Sequence, residues 1–293
     1  MVKKIEGLLK KYVTIDILID ISKSRLIGTM ANDREVLREI WDGKLPICFQ
    51  LAQEEIMEIQ QPDPFYVMVP RLSYFPLVTD KMKRHFLRYI SQENADSEMW
   101  LDYNGQPLKW HYPIGFLYDL CCGNDPQLPW TLTVHFTKFP EDILLHCPNK
   151  DVVEAHYMST VKEADVLKHR GQVMSTMQKK DHNQLWLGLQ NDKFDQFWAI
   201  NRRLMESHGE NEGFKHIPVK IYSDDGLCSQ RLVSPKNNDG SRKTLQQMTS
   251  ELYPDKTDVK LRTHGVIIPA ETPLQWLSEH LSYPDNFLHL CLC

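Results

Sequence analysis

Apolar positions along the chain change their spacing in a definite order, and that order predicts the elements. After Ala31-Asn32-Asp33, where Asn or Asp reads as a cap, Val36, Leu37, Ile40 and Trp41 fall at helical spacing. Residues 45–51 and 65–69 are apolar, β-forming runs that read as a hairpin. The second continues through Leu72 and Tyr74, with Pro70 as an edge or bend. Thr79 and Asp80 open a helix that places Met82, Phe86, Leu87 and Ile90 on one face. Residues 100–103 and 108–110 flank Asn104-Gly105, a pair suited to the two positive φ angles of a tight hairpin turn. A short Pro113-Ile114-Gly115-Phe116-Leu117 segment and a strand over 132–136 complete the series.

The same series then recurs. Residues 217–222 and 231–233 form a second strand pair, 245–252 a helix, and 259–262 with 266–268 a hairpin around His264-Gly265. Pro113-Ile114-x-Phe116-Leu117 aligns with Pro273-Leu274-x-Trp276-Leu277. A proline-containing turn follows each, at Pro129 and Pro284, and leads into a last strand, over 132–136 and 287–292. Matching order and matching residue types across whole modules predict a repeated ubiquitin-like β-grasp. A modifier of the ubiquitin type ends in a flexible Gly-Gly tail, whereas this sequence stops at Cys293 inside its last strand. The expectation is that it is not conjugated through its own C-terminus.

Between the repeats the period is helical. Asp151 with Glu154 reads as a capping box, and a long helix follows from about Val152. At about 100° per residue, Val153, Tyr157, Ala164 and Leu167 share one face, with Val161 at its margin. Lys162 falls opposite Val153, while Lys168 lies near the apolar stripe and is expected to snorkel. In a second block, residues 181–205, Phe194, Phe197, Trp198, Leu204 and Met205 form a stripe behind Asn191 as a cap. Such a stripe reads as core, or as a surface that holds a partner helix. The fold class is α+β: residues 30–44 a helix, 45–140 and 214–293 two ubiquitin-like domains, and 148–208 a helix-rich domain. Residues 1–29 are an extra N-terminal segment, either another strand or a leader ahead of Met30. Asp16 and Asp20 interrupt its apolar stretch, which makes it too short and too charged to span a bilayer.

Composition narrows the function classes. A chain of 293 residues with ordinary apolar and charged content is globular, and a net charge of −5 disfavours non-specific nucleic-acid binding. Seven cysteines without a CxxC pair read as reduced cytosolic thiols. Cys121, Cys122, Cys291 and Cys293 lack the companion spacing of a metal site, so no metal or cofactor is expected. A cysteine hydrolase would need Cys147 with His146 or His156, yet neighbours in sequence do not make a dyad. The basic helix with Lys81, Lys83, Arg84, His85 and Arg88 is either a solvated face or a contact with anionic membrane. Lys162 has the accessible ε-amine that attack on a thioester requires, although lysines on solvated helix faces are usually solubilising.

The segments Pro107-Leu108-Lys109-Trp110-His111-Tyr112-Pro113-Ile114-Gly115, Lys162-Glu163-Ala164-Asp165 and Glu271-Thr272-Pro273-Leu274-Gln275-Trp276-Leu277 resemble the autophagy protein 5 family. Further matches extend over nearly everything from Met30 onward. The departures are residues 1–29, a divergent stretch over 223–260 and the abrupt end. The resemblance implies two ubiquitin-like domains around a helix-rich one. It also implies that Lys162 is the acceptor lysine, joined by an isopeptide bond to the C-terminal glycine of the modifier autophagy protein 12. E1-like and E2-like enzymes would carry the catalysis. The N-terminal helix of autophagy protein 16 would occupy a groove between domains, with Arg71 and His264 as candidate contacts or, alternatively, structural hydrogen-bonding residues. The resulting E3-like complex would promote transfer of autophagy protein 8 modifiers to phosphatidylethanolamine. It would be cytoplasmic and peripheral at the phagophore membrane. An unconjugated adaptor is the competing reading.

Overall fold

The computed structural model describes residues 30–57, 61–123, 125–206, 213–223, 226–256 and 258–293. The expectations for residues 1–29 lie outside the described residues. Helix α1 (Met30–Asp42) turns Val36, Ile40 and Trp41 inward. Asn32 and Asp33, expected ahead of the helix as its cap, fall within its backbone span.

The first module is a five-stranded sheet made of β1 (Lys44–Leu51), β2 (Phe65–Pro70), β3 (Trp100–Tyr103), β4 (Gln106–Pro107) and β5 (Trp130–His135), in the order β2-β1-β5-β3-β4. β1 is antiparallel to β2, with Cys48 opposite Tyr66, and parallel to β5, with Ile47 opposite Trp130. A parallel central pair needs a crossover, and the helices α2 (Phe75–Val78), α3 (Asp80–Phe86) and α4 (Ile114–Cys122) occur in the connections between strands. The expected extension of β2 to Tyr74 does not form. The chain turns after Pro70, with Ser73 N donating to Pro70 O, and Tyr74, with extended backbone, stands at the position just before α2. α3 ends at Phe86, so Ile90 reaches the core from the turn beyond it.

The middle is helical: α5 (Lys150–His169), α6 (Gln172–Thr176), α7 (Lys179–Gln190) and α8 (Phe194–Met205). Two expected caps are corrected. Asn149, with extended backbone, caps α5 by accepting from Asp151 N (3.0 Å) and Val152 N (3.2 Å), so Asp151 is already helical. Asn191 closes α7, its side-chain amide donating to Leu187 O, and α8 starts behind Lys193. The two helices cross at Gly188, where a Cβ would meet Phe197 N at 2.6 Å. Only glycine allows that approach.

The second module repeats the first. β6 (Ile217–Tyr222), β7 (Cys228–Val233), β8 (Leu261–Thr263), β9 (Val266–Ile267) and β10 (Leu288–Leu292) are ordered β7-β6-β10-β8-β9, with β6 and β10 parallel. α9 (Leu245–Leu252) and α10 (Leu274–His280) correspond to α3 and α4. The hairpin turns match as well: Asn104 and Gly105 have φ of 51° and 79°, His264 and Gly265 have 50° and 83°. The fold is α+β, two ubiquitin-like β-grasp modules with a helical bundle between them. One apolar core fills the first module around Phe49, Phe86 and Leu132. The other is continuous through the bundle and the second module, around Tyr157, Leu185, Ile221 and Leu290. Each such side chain, fully buried, contributes about 1.5–3 kcal/mol.

Candidate functional site

α5 is about 30 Å long at 1.5 Å per residue, and both of its ends are fixed. Asn149 caps its start, and Arg170, with φ of 58°, closes its end. Val153, Tyr157, Val161 and Ala164 are at most 1% exposed. Val161, expected at the margin of this face, is fully buried, because the bundle covers a wider stripe than one helix face suggests. Asp165 is buried too, and its carboxylate accepts from Met174 N at 2.9 Å, which ties α6 to α5.

Lys162 lies on the opposite, exposed side. Among the described residues its amine makes no hydrogen bond and no ion pair. The adjacent Glu163 is committed elsewhere, accepting from Gln230 Nε2 at 2.8 Å. The amine is therefore accessible to a reagent delivered from solvent, on a helix capped at both ends.

Lys168 contrasts with it and corrects an expectation. It does not snorkel. The side chain is 2% exposed, with Nζ 3.1 Å from Met205 Sδ, 3.4 Å from Asn286 Oδ1 and 4.7 Å from the centre of the Phe214 ring. Burial pulls its pKa down to about 7. The two lysines are six positions apart in sequence, and only Lys162 can be reached.

Arg71 and His264 meet at one junction between the modules. Arg71 Nη2 donates to Asp119 Oδ1 (2.5 Å) and to Gly115 O (3.2 Å), while Asp119 Oδ2 accepts from Gly265 N at 2.8 Å. A Cβ on Gly115 would lie 2.7 Å from Arg71 Cβ, so glycine is required there. His264 Nε2 donates to Leu281 O at 2.9 Å, and its ring stacks on Tyr283 with centroids 4.3 Å apart. Burial holds the His264 pKa down at about 3, so the ring is neutral. Asp119, which links the two candidates, was not singled out from sequence. Its only signal was a place in the helix that follows Pro113.

A small, mainly apolar groove, with a cavity of only about 30 Å³, lies next to this junction. Leu37 and Trp41 of α1, Leu72, Trp198 of α8, Tyr283 and Pro284 are among its lining residues. Arg71 precedes Leu72 in the chain, and His264 packs against Tyr283. Most of the aromatic stripe in α8 is core, with Phe194, Phe197, Leu204 and Met205 buried. Trp198 is the member left partly open to the groove.

The cysteine-hydrolase grouping is not assembled. Burial, and then Glu98, push the Cys147 thiol up to about 12, where it stays protonated. His146 is held between Glu98 and Glu141, each at 2.8 Å, and His156 lies against Trp110 and His111. Among the described residues no His, Cys, Asp and Glu side chains gather into a metal-binding group, and no helix is long and apolar enough to cross a membrane.

Comparison with known proteins agrees with this architecture. Family models of autophagy protein ATG5 match three parts of the chain: the UblA domain over residues 40–136, the alpha-helical bundle region over 150–207 and the UblB domain over 216–292. Autophagy protein 5 of Drosophila melanogaster is 59% identical over 263 residues, covering 89% of this chain and 97% of the fly protein. Autophagy-related protein 5 of Caenorhabditis elegans is 35% identical over 273 residues, covering 89% of this chain and 98% of the worm protein. The crystal structure of Kluyveromyces marxianus Atg5 shares the fold, with a TM-score of 0.77 at 18% identity, over 89% of this chain and all of the yeast chain.

Proposed function

The chain belongs to the autophagy protein 5 family and acts in autophagy, and from that premise we propose that Lys162 is the acceptor of the ubiquitin-like modifier autophagy protein 12. In the reaction, Lys162 Nζ loses one proton to solvent, attacks the thioester carbonyl of the modifier's C-terminal glycine, which is held on an E2-like enzyme, and gives up a second proton as the neutral amide forms. The Nζ–C bond forms, the C–S bond breaks, and the enzyme's thiolate leaves. An E1-like enzyme loads the modifier beforehand. This chain supplies the nucleophile and no catalytic group.

The observation that carries the reading is the exposed Lys162 amine, free of hydrogen bonds and ion pairs among the described residues, on a helix anchored at both ends. The apolar groove beside Leu72 and Tyr283 takes the N-terminal helix of autophagy protein 16. Arg71 and His264 serve that contact from behind its walls. The assembled complex is E3-like and promotes transfer of autophagy protein 8 modifiers to phosphatidylethanolamine. It is cytoplasmic and peripheral at the phagophore membrane.

Lys162→Arg tests the proposal, since arginine keeps the charge and the helix but has no amine that forms an isopeptide. In a reconstituted reaction with the modifier and both enzymes, the conjugate band is lost and circular dichroism is unchanged. A conjugate that persists at wild-type level in this variant overturns the proposal. A wild-type chain that never forms conjugate, yet still binds autophagy protein 16, would be an unconjugated adaptor.

A further inference from the structure

Beside Lys162 lies an open sheet edge. β7 is outermost in its sheet and, among the described residues, pairs only with β6. The backbone N–H and C=O groups along its other side therefore have no strand partner, a template on which another extended chain can pair. The outer strands β4 and β9 have two residues each, too short to serve. β2 and β7 have six, and β7 is the one joined to α5 next to Lys162.

Two contacts fix how α5 and β7 run. Gln230 of β7 bonds Glu163, and at the far end of α5 the carbonyls of Leu167 and Lys168 accept from His216 N (3.1 Å) and Lys215 N (3.0 Å), just ahead of β6. α5 thus runs against β6 and with β7. The helical turn after Glu163 accompanies the residues after Gln230. Val166, one turn beyond Lys162, is 57% exposed, and Leu232, on the same face of β7 as Gln230, is 71% exposed. Two apolar side chains are left in water next to an accessible amine and an unpaired edge.

We infer that the β7 edge seats the extended C-terminal tail of the modifier attached at Lys162. This rests on the reading of Lys162 as acceptor. The tail adds to β7 as a sixth strand, its apolar side chains cover Val166 and Leu232, and its terminal glycine, with no side chain to obstruct, reaches Nζ. Main-chain hydrogen bonds hold the tail, and the two apolar side chains fix its register. Continuity with the acceptor selects this occupant. A tail bonded to Lys162 stays at high local concentration beside the edge, so weak strand pairing suffices.

Amide hydrogen exchange over residues 228–233 tests it, comparing the purified conjugate with the unconjugated chain. The outward-facing amides of β7 slow at least tenfold in the conjugate. Val166→Asp with Leu232→Asp, both at exposed positions, cuts that protection and slows conjugation several-fold while the melting temperature holds. A conjugate on Lys162 with β7 exchange unchanged overturns this inference and leaves the acceptor reading intact. A conjugate that persists in Lys162→Arg overturns both. Protection already present in the unconjugated chain and growing with its concentration assigns the edge to a second copy of the chain and overturns the tail assignment.

Discussion

Phe116 and Trp276 occupy the same place in two copies of one module, and the molecule uses them oppositely. Phe116 on α4 is 1% exposed, inserted between the modules with its ring 4.4 Å from Tyr222 and 5.0 Å from His289, centre to centre. Trp276 on α10 is partly exposed and stacks on His280 of its own helix, 4.6 Å away. Their neighbours do not differ in this way: Ile114 and Leu117 fill the first core as Leu274 and Leu277 fill the second. A repeated sequence pattern therefore sets the inner face of the helix in both copies, while the outer face is decided by what lies beyond it. The first module presents its outer face to the second. Among the described residues, the outer face of the second module is covered less completely at this place, and Trp276 stays partly exposed.

The largest expected effect breaks this comparison directly. Phe116→Ala removes a buried aromatic ring at the junction and costs about 3–5 kcal/mol. Trp276→Ala, at a partly exposed position, costs under about 1 kcal/mol. Urea unfolding of the two variants under the same conditions measures the difference. Equal losses would mean that both outer faces are structural and that the asymmetry is superficial.

Next comes the polar half of the same junction. Asp119 holds Arg71 from its own module and Gly265 from the other, so Asp119→Asn leaves a guanidinium that is only 11% exposed without its counter-charge. Removing one partner of such a pair costs about 3 kcal/mol. Adding Arg71→Met to that variant recovers part of the loss, since no lone buried charge remains and the Asn oxygen still accepts from Gly265 N. Double-mutant analysis of thermal unfolding checks this. Simple additivity would show that the pair is not coupled.

How much of this was legible in the sequence follows from how far each interaction reaches. Asn104-Gly105 and the Pro-x-x-x-Leu repeat are local signals, and they gave the hairpins and the module order. Lys162 was separable from the apolar stripe by helical spacing alone, because exposure of one face of one helix is also local. Lys168 was misread because what buries it is remote: Asn286 lies 118 positions on and Phe214 comes from the connection to the second module. The caps at Asn149 and Asn191 were displaced because several Asn and Asp residues crowd each boundary, and backbone geometry chooses among them. Asp119 carried no signal of its own. Its partners lie 48 and 146 positions away.

The smallest effect separates the two hairpin turns by pH. Asn104 in the first turn does not titrate, whereas His264 in the second does. Its folded pKa of about 3, set by burial and lowered further by the Arg71 charge, lies below the unfolded value of about 6.5. The accepting carbonyl of Leu281 favours the protonated ring but does not offset burial. Between those two values the unfolded chain binds a proton that the folded chain does not, so stability is intact above about pH 6.5 and falls as pH is lowered toward 3. The slope from this one residue is at most about 1.4 kcal/mol per pH unit. Going from pH 7 to pH 5 therefore removes about 1–2 kcal/mol. His264→Gln keeps a donor for Leu281 O and has no charge to gain, so its unfolding free energy falls less over the same interval, although it starts lower at pH 7. Unfolding curves at pH 7, 6 and 5 for both proteins decide the matter. Parallel losses in the two would place the acid sensitivity in other groups, of which the half-buried His111, also held down at about 3 by desolvation, is the first to replace.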